Sequence, residues 1–255
     1  MTVGLDPDAW VVPRWPASAV VRAATSTRRG PGVSREPYDR FNLGAGSGDE
    51  PDAVAKNRAA LATALALPSA PRWLRQVHGA AVVEFGAGDE AGAPPEADAA
   101  ITREPGVVLA ILSADCLPVL LAAEDGTEIA AIHAGWRGIA SGVIEAALGA
   151  MRTEPARLVA WLGPAIGPDA YEVGADVRDA MLQQDPSAAD AFRARGAQHW
   201  LCDLYALARA RLAARGVRRP YGGTHCTLGD QARFYSYRRD GRTGRMATLI
   251  WRTVA

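Results

Sequence analysis

Val107–Ala123 reads VVLAILSADCLPVLLAA. The stretch approaches the length of a membrane span, but Ser113, Asp115 and Pro118 interrupt it, so it fails as one. It divides into two short apolar runs, Val107–Leu112 and Pro118–Ala122, around a turn that carries Asp115 and Cys116. A third run, Ile129–Ile132, follows closely. Runs that are apolar at every position, not at alternate ones, mark strands buried on both faces.

Working outward, Ala19–Thr25, Leu158–Leu162 and Met246–Trp251 read as further strands, as do Trp73–Val77 and Ala80–Phe85 on either side of His78 and Gly79. Glu50–Leu67 reads as a helix, with Pro51 at its start and Ala and Leu in its body. Ile139–Met151, Asp176–Gln184 and Asp203–Arg215 are helical, the last closed by Gly216. Gly-Pro clusters at Gly30–Val33 and Gly86–Pro95 read as loops, neither long enough for an interdomain linker. Strands and helices mix without strict alternation. The expectation is an α/β or α+β fold, one compact domain over residues 1–255 with a mixed sheet flanked by helices.

Lys plus Arg and Asp plus Glu number 28 each, so net charge is zero. No global field draws the chain to nucleic acid or to an acidic membrane. The three cysteines, Cys116, Cys202 and Cys226, are too few and odd in number for a disulfide framework. They fit a reducing compartment, and the first residues lack the basic-then-apolar order of a signal peptide. A cytoplasmic protein is expected.

Among only four histidines, His133 stands where a small-residue strand meets a Gly-rich turn, in AIHAGWRG (Ala131–Gly138). His78 stands in RQVHG (Arg75–Gly79), and Cys116 in SADCLPV (Ser113–Val119). Two imidazoles and a thiolate suit Zn²⁺, and three protein ligands leave one tetrahedral position open. Their separations match no zinc-finger spacing, so only the fold can assemble them. Each also has a plain reading, as a hydrogen-bonded histidine at a strand end or a small core cysteine.

The phrases FNLGAGSGDEPDAVAKNRAAL, RQVHG, ADCLPV, AIHAGWRG, GPAIGPDAYEVG and FYSYRRDGRTGR occur in this order between Phe41 and Arg245. Together they resemble the YfiH or laccase-domain family, from about Phe41 to Arg252. Members of that family carry the labels polyphenol oxidase and purine nucleoside phosphorylase. The resemblance implies one α/β domain and a zinc held by His78, Cys116 and His133. It implies a purine nucleoside and phosphate as substrates, with adenosine deamination as a further activity. Asp115, Cys116 and His133 become the expected catalytic residues, and Asn42, Arg58, Arg75, Gln76 and Arg238 the expected substrate contacts. Relatives often carry cysteines where this chain has Asp169 and Ala170, so no role of those thiols transfers.

The chemistry of these residue types agrees. Asp115 could orient a ligand histidine, accept a proton or cap a turn. Arginine forks match phosphate oxygens, and Arg137 and Arg239 could serve beside those already named. Trp136 and Tyr237 could stack a purine. His225 could lie near the site, whereas Cys202, Cys226 and His199 read as structural. Three other functions compete. A cysteine or zinc hydrolase acting on peptidoglycan precursors would use Cys116 as nucleophile or the metal as activator. A copper polyphenol oxidase has a His₂Cys precedent, but four histidines are too few for a laccase's trinuclear cluster. Cu²⁺ would still displace zinc opportunistically. A non-catalytic zinc-stabilised module would leave the open ligand position unused.

Overall fold

The two apolar runs of the opening stretch belong to different sheets. Val108–Ser113 and Leu117–Ala123 are strands, and the turn Ala114–Cys116 carries the chain from one sheet to the other. The computed structural model describes residues 5–89 and 92–253. Glu90 and Ala91, within the expected loop Gly86–Pro95, lie outside the described residues.

Leu117–Ala123 sits in a six-stranded mixed sheet ordered Pro220–Gly222, Leu158–Leu162, Leu117–Ala123, Ile129–Ala134, Ala99–Thr102, Val82–Glu84. Its central pairs are antiparallel; the outermost pair at each edge is parallel. Val108–Ser113 ends a four-stranded sheet ordered Trp10–Val11, Val21–Ser26, Met246–Arg252, Val108–Ser113. A third, small sheet joins Phe192–Gly196, His199–Cys202 and Glu172–Gly174.

Side-chain alternation then builds the layers. Leu117, Val119 and Leu121 point to one face, where Ile139, Val143, Ala147 and Leu207 of the helices cover them. Leu120 and Ala122 point to the other, against Leu109 and Ile111 of the four-stranded sheet. The outer face of that sheet, with Val108, Ala110 and Leu249, packs on Leu61 and Leu65 from the first helix and its end. Helices, sheet, sheet and helix thus stack in four layers, so the central strands are apolar on both faces. The α/β class is as expected, with the strands divided among three sheets. Among the described residues no helix is long and apolar enough to cross a membrane.

Two elements differ from their sequence reading. Trp73–Val77 is no strand: Arg72 and Arg75 form single bridges to Leu109 and Glu96. The N–H groups that follow turn to a carboxylate, Asp98, and not to a neighbouring strand. The expected helix Ile139–Met151 is two helices, Trp136–Ala140 and Val143–Ala150. Gly142 breaks it with φ 83°, a left-handed conformation that a side chain resists. Gly142→Ala is expected to cost about 1–2 kcal/mol, read as a lower urea midpoint at unchanged slope. An unchanged midpoint would contradict this explanation of the break.

Candidate metal centre

Strand register brings the expected ligands to one end of the six-stranded sheet. Leu117 pairs with Ala134 and Pro118 with His133, so Cys116, just before its strand, lies beside His133. Ala99 pairs with Ile132, which sets Asp98 next to His133, and the His133 N–H donates to the Asp98 carbonyl at 2.7 Å. Asp98 then gathers the His78 loop. Its carboxylate accepts the N–H groups of Val77, His78 and Gly79 at 3.1, 3.0 and 2.7 Å. His78 has φ 61° and Asp115 φ 91°, strained values for non-glycine residues that occur where a site fixes the backbone. Gly135 makes room: a Cβ there would lie 2.9 Å from the Cys116 sulfur and 3.3 Å from the His78 ring.

His78, Cys116 and His133 each offer one ligand atom, and these atoms lie within 4.8 Å of one another. The Cys116 sulfur is 3.9 Å from His78 Nε2. The two rings meet edge to face, their centroids 4.9 Å apart. His78 is exposed, Cys116 half-buried and His133 buried, so the centre opens to solvent on the His78 side. Among the described residues no other His, Cys, Asp or Glu cluster is so arranged.

The donor set fits a metal ion. Asp98 Oδ1 lies 2.8 Å from His133 Nδ1; with a proton kept there, it is the Nε2 proton that an incoming metal ion would displace, freeing that lone pair toward the centre. Burial raises the Cys116 pKa, but the positive charge of His133, with hydrogen bonds from His133 and His78, outweighs it and brings it to about 6. Burial likewise opposes the charged form of His133, while Cys116 and Asp98 favour it and hold its pKa near 9. Cys116 therefore favours the thiolate, the form that binds metals. The 4.8 Å spread exceeds the roughly 4 Å expected of a tetrahedral shell, a difference that side-chain shifts of about 1 Å close.

The carboxylate bonded to the His133 ring is Asp98, not Asp115. Asp115 accepts from Thr227 Oγ1 at 2.6 Å, Ser236 Oγ at 3.0 Å and the Arg238 N–H at 2.7 Å. It thereby ties the Cys116 turn to the C-terminal segment. Asp98 lies in the unremarkable stretch EADAA. Only the register of two strands reveals it.

The expected substrate contacts are scattered more widely. Asn42 is buried and bonds Ser47, Asp49 and the N–H groups of Gly44 and Arg245. Gln76 uses both ends of its amide on the backbone of Leu112, at 2.8 Å each. Arg75 pairs with Glu96 on the surface. Arg58 donates to the Leu43 carbonyl at 3.0 Å and lies over the Trp73 ring. Arg238 donates to the Glu172 carbonyl and lies over Tyr171. Arg239 is consumed by Asp240 and by carbonyls of Thr227, Leu228 and Phe234. Arg137 covers Trp136. Tyr237, between two residues bonded to Asp115, is 61% exposed. His199 pairs with Glu172 in the small sheet. His225 packs on Phe234 beside Arg233. Cys226 accepts N–H groups from Gly167 and Gly229. Burial pushes the Cys202 thiol up to about 12.

Fold and centre together define the class: a mixed α/β protein with a three-ligand His₂Cys group able to hold a metal ion. Residues 22–253 match the model of the multi-copper polyphenol oxidoreductase laccase family, and the chain belongs to that family. It is 52% identical over 252 residues to a Xylella fastidiosa protein named purine nucleoside phosphorylase, covering 95% of this chain and 97% of that one. It is 50% identical over 241 residues to the Escherichia coli purine nucleoside phosphorylase YfiH, covering 94% and 98%. The crystal structure of a Neisseria meningitidis protein of the DUF152 family superposes with a TM-score of 0.92 at 46% identity, over 96% of this chain and 100% of that one.

Proposed function

We propose that the chain is a zinc-dependent purine nucleoside phosphorylase, acting as a single domain in the cytoplasm, where its three free cysteines stay reduced. The observation that carries the reading is a near full-length likeness to proteins of that name, combined with an open His₂Cys group. His78, Cys116 and His133 would hold the ion. When bound, zinc would supply positive charge opposite the negative charge that develops in transfer.

In phosphorolysis a hydrogen phosphate oxygen forms a bond to C1′ of the ribose. The C1′–N9 bond breaks, the purine leaves with the electron pair, and the phosphate's proton passes to it. The products are the free purine and ribose 1-phosphate, and no oxidant is needed. Asp98 fixes His133, and Asp115 holds the Cys116 turn. Tyr237 offers an exposed ring beside that turn on which a purine would stack. Arg238, next in the chain, would supply positive charge beside it. Among the described residues nothing favours adenosine deamination over phosphorolysis.

The zinc-loaded protein is expected to release hypoxanthine from inosine only when phosphate is present, with ribose 1-phosphate as the co-product. Release of free ribose without phosphate would contradict the proposal, as would absence of release at full zinc occupancy.

One observation favours a second reading. Asp98, His133 and Cys116 form a carboxylate–imidazole–thiol line, the arrangement of a cysteine nucleophile. Alkylation separates the two. As a ligand, Cys116 is expected to resist iodoacetamide with zinc bound and to react quickly once zinc is stripped. Rapid alkylation of the zinc-loaded form, with metal content unchanged, would favour the nucleophile.

A further inference from the structure

Most arginines near charged partners are committed, as Arg103 is to Glu84 and Glu128 and Arg233 to Asp230. Arg58 and Arg245 are different. Both are half-buried, and among the described residues neither reaches a carboxylate. Burial lowers the pKa of each; negative charge nearby opposes the shift at Arg245, but among the described residues no carboxylate forms an ion pair with either guanidinium. A charge in that position normally has a partner.

Both are tied to one corner of the fold, Leu43–Gly44. The Arg58 Nε donates to the Leu43 carbonyl, which leaves both terminal nitrogens without a protein partner among the described residues. The Arg245 backbone carbonyl accepts the Leu43 N–H at 3.1 Å, and its stem lies against Gly44, where a Cβ would come within 2.6 Å of Arg245 Cγ. Arg245 Nη1 donates to the carbonyls of Thr243 and Gly244, while Nε and Nη2 have no protein partner and are not sealed from solvent. Met246 pairs with Ser113, so Arg245 lies across from Ala114, at the turn that presents Cys116. Cys116 and Asp115 are among the groups whose charge acts on it. Two arginines with free guanidinium donors are therefore anchored at the Leu43–Gly44 corner, Arg245 across from the turn that carries Cys116. Arg75, the other arginine expected to grip phosphate, is occupied by Glu96.

We propose that Arg245 and Arg58 together form the subsite for the attacking phosphate, a tetrahedral dianion gripped by two guanidinium forks at the Leu43–Gly44 corner. Its role in turnover rests on the phosphorylase reading; its capacity to bind inorganic phosphate does not. Guanidinium forks bind such oxygens in pairs, which a lysine ammonium cannot reproduce.

The test uses the full zinc-loaded chain and two readouts. In turnover, Arg245→Gln and Arg58→Gln are expected to raise the phosphate KM by about 10–100-fold while the inosine KM changes by less than about twofold. At equilibrium, a ³¹P line-broadening titration with inorganic phosphate should show the same loss of affinity. Arg157→Gln, which removes an exposed charge paired with Asp125 in the turn just before the strand Leu158–Leu162, should leave both unchanged. If no phosphorolysis is found but the two variants still lose phosphate binding, the phosphorylase reading falls and the anion subsite stands. If phosphorolysis proceeds with the phosphate KM unchanged in both variants, the subsite is wrong and the phosphorylase reading stands. An equal rise in Arg157→Gln would also overturn the subsite. Should a Gln variant fail to melt cooperatively, Arg245→Lys and Arg58→Lys replace it. A selective rise in phosphate KM supports the proposal, and an equal rise in both substrates' KM rejects it.

Discussion

Asp98→Ala is expected to weaken zinc binding by about 10–100-fold, the usual effect of losing a carboxylate behind a ligand histidine, and to destabilise the fold by at least about 3 kcal/mol. The two effects share one cause. The Asp98 carboxylate holds His133 Nδ1 at 2.8 Å and also receives three successive N–H groups of the His78 loop. It therefore sets the ring of His133 and positions the backbone of His78. Alanine leaves three amide donors of a partly buried loop without their acceptor. Asp98→Asn separates the parts. An amide retains one acceptor oxygen but turns an NH₂ toward groups that donate. That variant should fold, melt earlier than wild type and bind zinc about tenfold more weakly. Metal content after dialysis against a graded chelator, together with urea unfolding of the stripped form, measures both. Wild-type zinc affinity in Asp98→Asn would refute the orienting role.

Cys116→Ala is expected to lower zinc affinity by more than about 100-fold, beyond the range for outer partners, and phosphorolysis with it. Two imidazoles remain, one of them exposed, and the pair lacks the negative charge that a thiolate brings to the ion. Cys116→Asp supplies a carboxylate oxygen able to bind zinc at about 2.0–2.2 Å. It should recover part of the affinity and a residual rate, although it can form no thioester or disulfide. An Asp variant with full metal content and no turnover would instead assign Cys116 to covalent chemistry.

The parts that could be read from the sequence were those set by local pattern. Leu158–Leu162 is a strand at the positions its apolar run marks. Leu117–Ala123 and Ile129–Ala134 are strands whose uniform apolarity reflects burial between two layers. His78, Cys116 and His133 were nameable because each stands beside residues that end strands. What escaped depends on register between distant segments. Asp98 earns its place only because Ala99 pairs with Ile132; in sequence it is one acid among 28 acidic residues. Ala99–Thr102 is four small or β-branched residues with no flanking signal. The small sheet uses Phe192–Gly196, FRARG, whose exposed arginines hide any alternation. Trp73–Val77 has the composition of a strand but no continuous partner, since a side-chain carboxylate takes the N–H groups that follow it. Arg245 was hidden for a similar reason: among neighbouring arginines in RRDGRTGR (Arg238–Arg245), only contacts distinguish a committed guanidinium from a free one.

The direct test is a zinc titration of chelator-stripped protein, followed by phosphate-dependent release of hypoxanthine from inosine. If His78, Cys116 and His133 hold the working ion, activity should rise in proportion to added zinc and level off at about one ion per chain, with no such rise in Cys116→Ala. Full activity in the stripped protein, or none in the wild type at saturating zinc, would contradict a zinc-dependent phosphorylase built on this centre.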